Sequence, residues 1–506
     1  MASITAPADG NIQESSNENV VGEAVSEPAG QLAVTSSNTD VSGASGDVAG
    51  AVVAAGGGDD VENITNSLVA TSLTCDSHLF VGDGVTFDHD LLKCIPKSIL
   101  DAITVDLELR RPSPIQLNII PRALEKQNII AQAQTGSGKT LAFSVSLLSV
   151  IDCKIKQPQA LVIAPTRELA VQIETDWITP LSKRMDPRPV CEKAISGVTP
   201  QRGHKCRSQV IVGTAGKIKD WSTTAQYLKL ASLKILVVDE ADHMVSNSFR
   251  DDITLLAKKC KDDCQFLFFS ATYTEDAKNF CEKLITDRGG SVCKVSVPRD
   301  ALMVKDIFQV RMNVDLGQKI QVLKAAYKFL EVHQSIVFLD TVEEANQTSR
   351  MLTEEGYTVS TIHGRIEAAE RDSIMEKFRK TETKFLVTTD LLARGVDVPS
   401  VSVVINFTVP RSQADRNAPS LPDPEKYLHR IGRTGRYNRR GFAITFIETE
   451  QDKRDLENIE AHYLGDAAFA KGDRLTTEYS STDDAIEDLK EKVGESDKVQ
   501  VTLSYA

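Results

Sequence analysis

The chain has 506 residues, of which 41% are hydrophobic and 25% charged, a composition typical of a globular protein with two or three domains. Its formal net charge is -13, yet the first 92 residues hold 14 acidic residues and no Lys or Arg, which leaves 57 acidic and 58 basic residues for the rest. These values exclude a uniformly acidic or uniformly basic fold, and they confine any basic surface to a local patch.

Cysteine usage and the N-terminal sequence indicate the compartment. The nine cysteines are scattered, and the nearest pair, Cys260 and Cys264, has no second pair that would complete a metal site. This pattern suits free thiols in a reducing compartment. No apolar run approaches the length of a membrane span, and the N-terminus lacks the basic residues of a signal or transit peptide. We expect a cytoplasmic or nuclear protein without membrane insertion.

The N-terminal segment, residues 1–75, is acidic, rich in Ser, Gly and Ala, and free of aromatic residues. Because such a segment has little apolar surface to bury, we predict a disordered tail. Within it, Asn63–Leu73 is weakly apolar and is a candidate for a helix that docks on a partner or on the protein itself.

From residue 76 onward, short apolar runs alternate with amphipathic segments, and nearly every run is followed by a polar or glycine-bearing turn. This alternation is typical of βα units that form a parallel sheet. We predict a first domain over residues 76–297. Its predicted strands are Asn128–Ala131, Ala160–Ala164, Val210–Val212, Ile235–Val238 and Phe266–Phe269.

A second set of apolar runs begins near residue 308 and predicts a second domain over residues 308–495. Its predicted strands are Ser335–Leu339, Val359–Ile362, Phe385–Val387, Val401–Asn406 and Phe442–Phe446. Residues 298–307 are polar and lack periodicity, so we predict a linker, and 496–506 are predicted to be a C-terminal tail. Thr482–Val493 has helical spacing and alternating charge, which predicts a surface helix. The predicted fold class is α/β, with two tandem parallel sheets flanked by helices.

Ala131–Thr140 reads Ala-Gln-Ala-Gln-Thr-Gly-Ser-Gly-Lys-Thr and lies between a predicted strand and a predicted helix. This is the context of a phosphate-binding loop. The residues whose backbone N–H groups can surround a β-phosphate are Thr135, Gly136, Ser137 and Gly138. Lys139 is placed to reach the β- and γ-phosphates, and the Thr140 hydroxyl to ligate Mg²⁺. The loop therefore predicts nucleotide binding.

Three carboxylates follow the predicted strand Ile235–Val238 within four residues: Asp239, Glu240 and Asp242. One interpretation is an acidic N-cap on the next helix. The other is a ligand site at the carboxyl edge of a parallel sheet, and the phosphate loop favours it. Asp239 would then hold the Mg²⁺ water shell, and Glu240 would orient or deprotonate the attacking water.

Asp239-Glu240-Ala241-Asp242 together with the phosphate loop resembles the DEAD-box ATP-dependent RNA helicases, and the resemblance runs from Phe87 to about Val493. Further motifs of this family occur in the family's order: Pro165–Ala170, Ser196–Gly197, Thr214–Lys217, Ser270–Thr272, Ile336–Asp340, His363–Gly364, Ala393–Asp397 and His429–Arg436. The resemblance implies two RecA-like domains and an RNA-stimulated ATPase, with ATP as substrate and Mg²⁺ as cofactor.

The resemblance assigns further residues to the nucleotide. Gln116 would read adenine, since an amide can donate to one ring position and accept from its neighbour at once. Phe87 is its predicted aromatic companion, at a spacing about four residues longer than the family pattern. Asp397 would hold the ribose.

Domain closure would complete this site. Arg433 and Arg436, by resemblance, would reach from the second domain as arginine fingers that neutralise charge developing on the γ-phosphoryl group. Ser270 and Thr272 would couple the Asp-Glu-Ala-Asp stretch to closure by hydrogen bonds, with Asp242 as the carboxylate that receives them.

RNA would lie across both domains. The positions that match the family's RNA contacts are Thr166, Arg167, Gly197, Thr214, Gly216 and Thr389. Hydroxyls, glycine N–H groups and one arginine contact phosphates and 2′-hydroxyls without reading bases, so binding to single strands or short duplexes is predicted to be independent of sequence. Ala215 and Ala368 depart from the family pattern, which predicts a weaker RNA grip.

Arg411–Lys426, a polar stretch rich in Asp, Asn, Pro and Ser, is similar to the longer link of the DEAD-box helicases that export mRNA at the nuclear pore. This subgroup implies a monomer at the cytoplasmic face of the pore. Its implied partners are a nucleoporin and an export mediator that acts with inositol hexakisphosphate. It also implies an autoinhibitory segment, for which Asn63–Leu73 is the candidate.

Three other functions stay open at this point. A translation-initiation-type DEAD-box helicase is the alternative within the family. An ATP-gated RNA clamp, a binding platform whose hydrolysis is incidental, belongs to another class, but it could dispense with Glu240 or Arg433, and both are present. A DNA helicase is disfavoured because the predicted contacts include 2′-hydroxyls.

Overall fold

The computed structural model describes residues 85–134, 136–201, 203–245, 249–296, 307–330, 334–390, 401–412, 419–435 and 440–479, with six further residues between 484 and 492. The predicted tail 1–75 with its Asn63–Leu73 segment, almost all of the linker 298–307 and the C-terminal tail 496–506 lie outside these residues. So do Thr135, Asp397 and Arg436.

A seven-stranded parallel sheet forms the centre of the first α/β unit, with the order β3-β4-β2-β5-β6-β1-β7. Its strands are β1 Asn128–Gln132, β2 Ala160–Ala164, β3 Cys191–Ala194, β4 Val210–Thr214, β5 Ile235–Asp239, β6 Gln265–Ser270 and β7 Val292–Ser296. Every residue of β2, β5 and β6 is buried, as expected for strands covered on both faces. Val237 of β5 pairs with Val162 on one side and Leu267 on the other.

Helices cover both faces of this sheet. They include Lys97–Asp101, Pro114–Leu124, Lys139–Val150, Arg167–Gln172, Thr179–Leu181, Ala215–Thr223, Ala241–Met244, Arg250–Lys258 and Glu275–Thr286. Successive residues of β6 point to opposite faces, so Phe269 packs with Phe143 in one core and Phe268 with Trp221 in the other. The sheet therefore separates two apolar layers, and its carboxyl edge is left for polar side chains.

The second unit repeats the arrangement with the order β10-β11-β9-β12-β15-β8-β16. The strands of this half are β8 Ile307–Asn313, β9 Gln334–Phe338, β10 Val359–Ile362, β11 Phe385–Thr388, β12 Val401–Asn406, β13 Arg411–Ser412, β14 Leu421–Pro422, β15 Gly441–Ile447 and β16 Thr477–Glu478. Its helices are Lys319–Leu330, Val342–Glu354, Ala368–Arg379, Pro424–Ile431, Glu450–Leu464 and Asp466–Ala470. The short strands β13 and β14 pair with each other, antiparallel, outside the main sheet.

The predicted fold class is confirmed: all ten predicted strands are present, in two parallel sheets flanked by helices. The sequence patterns do not predict the edge strands β3, β7 and β16, the interior strand β8, or the short pair β13 and β14. The predicted surface helix Thr482–Val493 is helical at its described residues, but Ala485 is fully buried in the second core, so this segment is packed on the domain. The eight described cysteines are all free thiols. No described helix is long and apolar enough to cross a membrane.

Candidate active site

The phosphate loop leaves the carboxyl end of β1 and enters the helix Lys139–Val150. Gly136 and Gly138 have φ angles of 80° and 90°, which other residues adopt only with strain. A Cβ on Gly138 would lie 2.1 Å from Nε2 of Gln116, so this glycine also leaves room for that amide. The Oγ of Ser137 is buried and makes no hydrogen bond to a described residue. The local sequence therefore shapes an open loop with free polar groups.

Gln116 fixes the loop to the helix Pro114–Leu124. The side-chain oxygen of Gln116 accepts from the backbone N–H of Ser113 over 2.9 Å, and the backbone N–H of Gln116 donates to Ser113 Oγ over 3.4 Å. These two reciprocal bonds form a capping box. Its Nε2 donates to the Gly138 carbonyl over 3.2 Å. The amide is thus oriented beside the phosphate loop, and its role in reading adenine stays a prediction.

Lys139 is 8% exposed and its ammonium donates to two loop carbonyls, Ala133 at 2.5 Å and Gln134 at 3.0 Å. Burial lowers the pKa of this ammonium, while the negative charges of Glu240, Asp239 and Asp242 act in the opposite direction. The lysine is therefore held at the loop within reach of three carboxylates.

The two predicted catalytic carboxylates follow β5 directly. Asp239 is 4% exposed, and burial raises its pKa to about 7; the negative charge of Glu240 adds to this, and Lys139 opposes it. Glu240 has a φ of 51°, a left-handed conformation that is strained for this residue and marks a sharp turn at the strand end. Its Oε2 is buried without a hydrogen bond to a described residue. Lys139 opposes only part of the negative charge of this pair, so a further cation would be stabilised there.

A divalent metal fits this donor set. Mg²⁺ prefers oxygen ligands and is usually held by one or two carboxylates together with substrate phosphates and water. Asp239 at the end of β5 and the half-buried Thr140 hydroxyl after the phosphate loop supply such oxygens at the carboxyl edge of the sheet. Among the described residues, no group of three or more His, Cys, Asp or Glu could hold a metal by itself. The nucleotide would therefore have to complete the coordination.

Asp242 receives the hydrogen bonds that the sequence predicts. Ser270 Oγ donates to its Oδ1 over 2.5 Å, and Thr272 Oγ1 donates to its Oδ2 over 2.7 Å. All three side chains are buried. These bonds join the end of β5 to the end of β6, and the role of this triad in coupling to closure stays a prediction.

His429 and Arg433 bring the second domain into the site. His429 is fully buried, and its Nε2 lies 3.8 Å from Glu240 Oε2 and 3.8 Å from Asp242 Oδ2. Arg433 is 2% exposed and its Nε donates to the His429 carbonyl over 3.0 Å. Its positive charge also lowers the pKa of Lys139, after the larger effect of burial, so it lies near the phosphate loop. Glu240 and Asp242 of the first domain thus lie beside His429 of the second, and Arg433 is hydrogen-bonded to that histidine.

Comparison with known proteins agrees with this geometry. A model described as DEAD/DEAH box helicase matches residues 113–280, and one described as helicase conserved C-terminal domain matches residues 318–438. The ATP-dependent RNA helicase DBP5 of Gibberella zeae is 37% identical over 408 residues, which cover 79% of this chain and 79% of that protein. The chain belongs to the DEAD-box family of ATP-dependent RNA helicases. The predicted family, with its similarity to the mRNA-export subgroup, is confirmed.

Two solved structures of DEAD-box helicases extend the likeness to the fold. S. cerevisiae Dbp5 bound to RNA and ADP BeF3 is 30% identical, with a TM-score of 0.71 over 81% of this chain and 99% of that one. A variant of S. cerevisiae Dbp5 bound to Nup159, a Gle1 variant, IP6 and ADP is 29% identical, with a TM-score of 0.56 over 79% of this chain and 100% of that one. The tandem RecA-like arrangement is therefore shared.

The predicted RNA contacts of this DEAD-box helicase lie at strand ends and loops on the same edge. Thr166 caps the helix Arg167–Gln172, because its Oγ1 accepts from the Leu169 N–H over 3.2 Å. Gly197, with a φ of 84°, and Gly216 are exposed, and nothing lies within 4 Å of a Cβ added to either. Thr214 ends β4 and Thr389 follows β11, both half-buried. Their contacts with RNA stay a prediction.

Two ion pairs cross between the domains at this RNA face. Arg167 donates to the Ser196 carbonyl over 2.6 Å and forms an ion pair with Asp372 of the second domain. Glu168 lies 3.1 Å from Arg371, with side-chain exposures of 6% and 13%. The motif Pro165–Ala170 contains Arg167 and Glu168, but Arg371 and Asp372 lie outside the motifs of the second domain, so the sequence does not indicate that they meet. Each ion pair joins residues of different domains, so both pairs depend on how the two domains are arranged.

Breaking the buried pair tests its contribution to RNA-dependent closure. Glu168→Gln leaves the Arg371 charge without its partner, and losing one member of a buried pair costs about 3–5 kcal/mol. We expect the RNA concentration for half-maximal ATP hydrolysis to rise at least about tenfold. The control is Glu343→Gln, which breaks the exposed 2.6 Å pair with Arg365 and is expected to change nothing. An unchanged RNA requirement in Glu168→Gln would show that the pair is not used.

Arg430 is a residue whose role the motifs did not reveal. It is fully buried, and its guanidinium contacts Asp390 at 2.7 Å, Asp340 at 3.1 Å and the Thr408 carbonyl at 2.8 Å. It thereby links the segments that follow β9, β11 and β12 at the carboxyl edge of the second sheet. The His429–Arg436 motif contained this arginine, but only its distance from Asp340 in space indicates a positioning role.

Phe87 differs from the expectation for an adenine-stacking ring. It is 1% exposed and belongs to the apolar core with Leu92, Ile95 and Ile115. A base would need one face of the ring to be uncovered, so its stacking role stays a prediction. Thr135, Asp397 and Arg436 lie outside the described residues, and their roles stay predictions as well.

The coupling triad gives a further test. Each charge-assisted hydrogen bond to Asp242 contributes about 1.5–3 kcal/mol. We expect the double variant Ser270→Ala, Thr272→Ala to bind ATP normally, because Lys139 is untouched, but to separate RNA duplexes at least about tenfold more slowly. Duplex separation and ATP affinity are measured on the same preparation. Ser144→Ala, which removes a buried hydroxyl without a hydrogen-bond partner among the described residues, is the control. Equal duplex separation in variant and control would contradict the coupling role.

Proposed function

We propose that the chain is an RNA-stimulated ATPase that locally unwinds RNA or remodels mRNA–protein complexes during mRNA export from the nucleus. The observation that carries this proposal is the composite site, in which Lys139, Asp239 and Glu240 of the first domain face His429 and Arg433 of the second. Hydrolysis would then depend on closure, and closure on RNA bound across both domains. The family membership of the chain supports the same conclusion.

We assign the chemistry within this site as follows. ATP is the substrate, with its phosphates on the loop and Lys139, and its adenine beside Gln116. Mg²⁺ would be held by Thr140 and Asp239 and would neutralise phosphate charge. Glu240 is the general base, since its free Oε2 is the buried oxygen available to a water. Arg433 and Arg436 stabilise the charge that develops on the γ-phosphoryl group.

The domain boundaries proposed from the sequence, 76–297 and 308–495, are consistent with the two sheets. RNA contacts by Thr166, Arg167, Gly197, Thr214, Gly216 and Thr389 belong to the same proposal. Because these groups are hydroxyls, backbone N–H groups and one arginine, binding would be independent of base sequence.

Partners follow from the likeness to S. cerevisiae Dbp5, which has been solved with Nup159, Gle1 and IP6. We infer that this chain works at the cytoplasmic face of the nuclear pore with a nucleoporin and an export mediator that uses inositol hexakisphosphate. A pull-down scored for nucleoporins against translation-initiation factors tests this inference. Initiation factors as the dominant partners would overturn the export role and leave the helicase assignment standing.

Hydrolysis assays test the activity itself. We expect single-stranded RNA to stimulate ATP hydrolysis and DNA of the same length neither to stimulate it nor to compete. Lys139→Ala, which removes the phosphate-loop ammonium, is expected to abolish both basal and stimulated hydrolysis. ATP hydrolysis that RNA does not stimulate would overturn the proposal. Tight RNA binding in the presence of ATP, without ATP turnover, would favour the RNA clamp.

A further inference from the structure

A cavity of about 1010 Å³ lies at the amino edge of the first sheet, opposite the active site. Its walls are the loops that precede β2, β4, β5 and β6, together with the ends of the helices Pro114–Leu124 and Lys139–Val150. All strands of this sheet are parallel, so loops before and after them lie at opposite edges. With about 3.3 Å per residue, a five-residue strand separates the two edges by roughly 16 Å.

The cavity is lined by seven basic side chains and a single acidic one, Asp263. Lys156, Arg207, Lys229 and Lys261 are among the basic residues and are all exposed. None of the seven forms an ion pair with a carboxylate in the part of the chain that the structure describes. The cavity is therefore a local basic patch on a folded region that is nearly neutral overall. A bound polyanion would reduce the repulsion between its basic side chains.

Buried glutamines hold the walls of this cavity in place. Gln159 donates to the carbonyls of Asp152 and Ile155 over 2.7 and 3.1 Å, and Gln265 donates to those of Ala123 and Gln127 over 2.9 and 2.7 Å. These side chains are 1% and 4% exposed. Because the loops are fixed before any ligand arrives, the basic side chains are presented on a preformed concave surface, which lowers the entropic cost of binding.

We propose that this cavity is a second RNA-binding site, which takes the phosphates of single-stranded RNA that flanks the strand held at the active-site edge. The inference rests on the proposed RNA helicase function. RNA carries one charge per nucleotide along its backbone, and lysines bind such charges without base recognition. Tyr227, an aromatic residue of the lining, donates its hydroxyl to Glu192 over 3.0 Å.

RNA is favoured over an acidic protein segment because an RNA strand bound at the active-site edge is already tethered roughly 16 Å away. Its flank therefore reaches the cavity at high effective concentration. The site would thus add affinity for long RNA without altering the chemistry of ATP hydrolysis.

The experiment uses the full chain and two uridine homopolymers, of about 10 and about 40 nucleotides. The test variant carries Lys156→Gln, Arg207→Gln, Lys229→Gln and Lys261→Gln. The control variant carries the same charge change at Lys93, Lys97, Lys183 and Lys283, four exposed lysines of the same domain that do not line the cavity. Affinity is measured by fluorescence anisotropy over a range of salt concentrations, and ATP hydrolysis is measured with saturating short RNA.

We expect the test variant to bind the long homopolymer at least about tenfold more weakly, with a shallower salt dependence, and to keep both short-RNA affinity and hydrolysis. The control variant should match the unaltered protein throughout. Equal loss in both variants, or no loss in the test variant, would overturn the second site. Unchanged RNA binding with loss of affinity for a decaglutamate peptide would replace RNA by an acidic protein segment. If RNA fails to stimulate even the unaltered protein, the proposed function falls, and this inference with it.

Discussion

Arg433→Ala is expected to lower kcat for RNA-stimulated ATP hydrolysis by on the order of 10³, the loss known for arginine fingers. The guanidinium is 2% exposed, is oriented by the His429 carbonyl at 3.0 Å, and acts electrostatically on Lys139 of the phosphate loop. It thus lies where negative charge would develop on the γ-phosphoryl group. ATP affinity should change far less than kcat, because this charge grows in the transition state.

Two comparisons sharpen this prediction. Arg433→Lys keeps the charge but loses the planar donor fork, and we expect it to recover only part of the lost rate. Arg379→Ala removes an exposed arginine from the same domain and is expected to leave kcat unchanged. Steady-state hydrolysis at saturating ATP and RNA measures all three variants. A loss below tenfold in Arg433→Ala would mean that another residue supplies the finger, and Arg436 is the first candidate.

Most central strands of both sheets could be predicted from the sequence, because strands that are buried on both faces are apolar runs. β5 and β6 illustrate this, since every residue in them is buried. The interior strand β8 could not be predicted, since its buried residues include Gln309 and Arg311. The edge strands β3 and β16 carry no such signal, although the edge strand β10 could be predicted. β3 reads Cys-Glu-Lys-Ala and is half-buried, and β16 has two exposed residues, so both resemble loops until a neighbouring strand is known.

Site residues that sit within one short motif could also be predicted, while contacts between distant motifs could not. Spacing alone placed Lys139 on a phosphate loop and Asp239 at a strand end. It gave no indication that His429 lies 3.8 Å from both Glu240 and Asp242, or that Arg371 pairs with Glu168. Such contacts depend on how two separately folded domains meet, and neither domain's periodicity contains that information.

The basic cavity has the same origin. Its cations are spread from Lys126 to Lys261 and come from different loops, so no single stretch of sequence contains all of them. A parallel sheet collects those loops at one edge because each precedes a strand. The parallel topology therefore forms one positively charged surface from basic residues that lie in separate parts of the sequence.

Glu240→Gln is expected to keep ATP and RNA binding but to lower the rate of hydrolysis by about 10²–10⁴, the usual contribution of a general base. The amide has the shape of the carboxylate and tolerates the same 51° φ about as well, but it cannot accept a proton from the attacking water. Since closure depends on bound ATP, the variant should persist as a long-lived complex with RNA.

Dissociation of labelled RNA in the presence of ATP measures this persistence, and single-turnover hydrolysis measures the chemical step. Glu275→Gln, at an exposed position that begins the helix Glu275–Thr286, serves as the charge-matched control. Slow hydrolysis together with fast RNA release would show that Glu240 acts in the chemical step without controlling domain closure. Retention of RNA would then be assigned to Asp242 and to the ion pairs Arg167–Asp372 and Glu168–Arg371. Hydrolysis at the normal rate would instead remove Glu240 from the mechanism, because no other carboxylate of the described site combines burial with an oxygen free of hydrogen bonds beside His429.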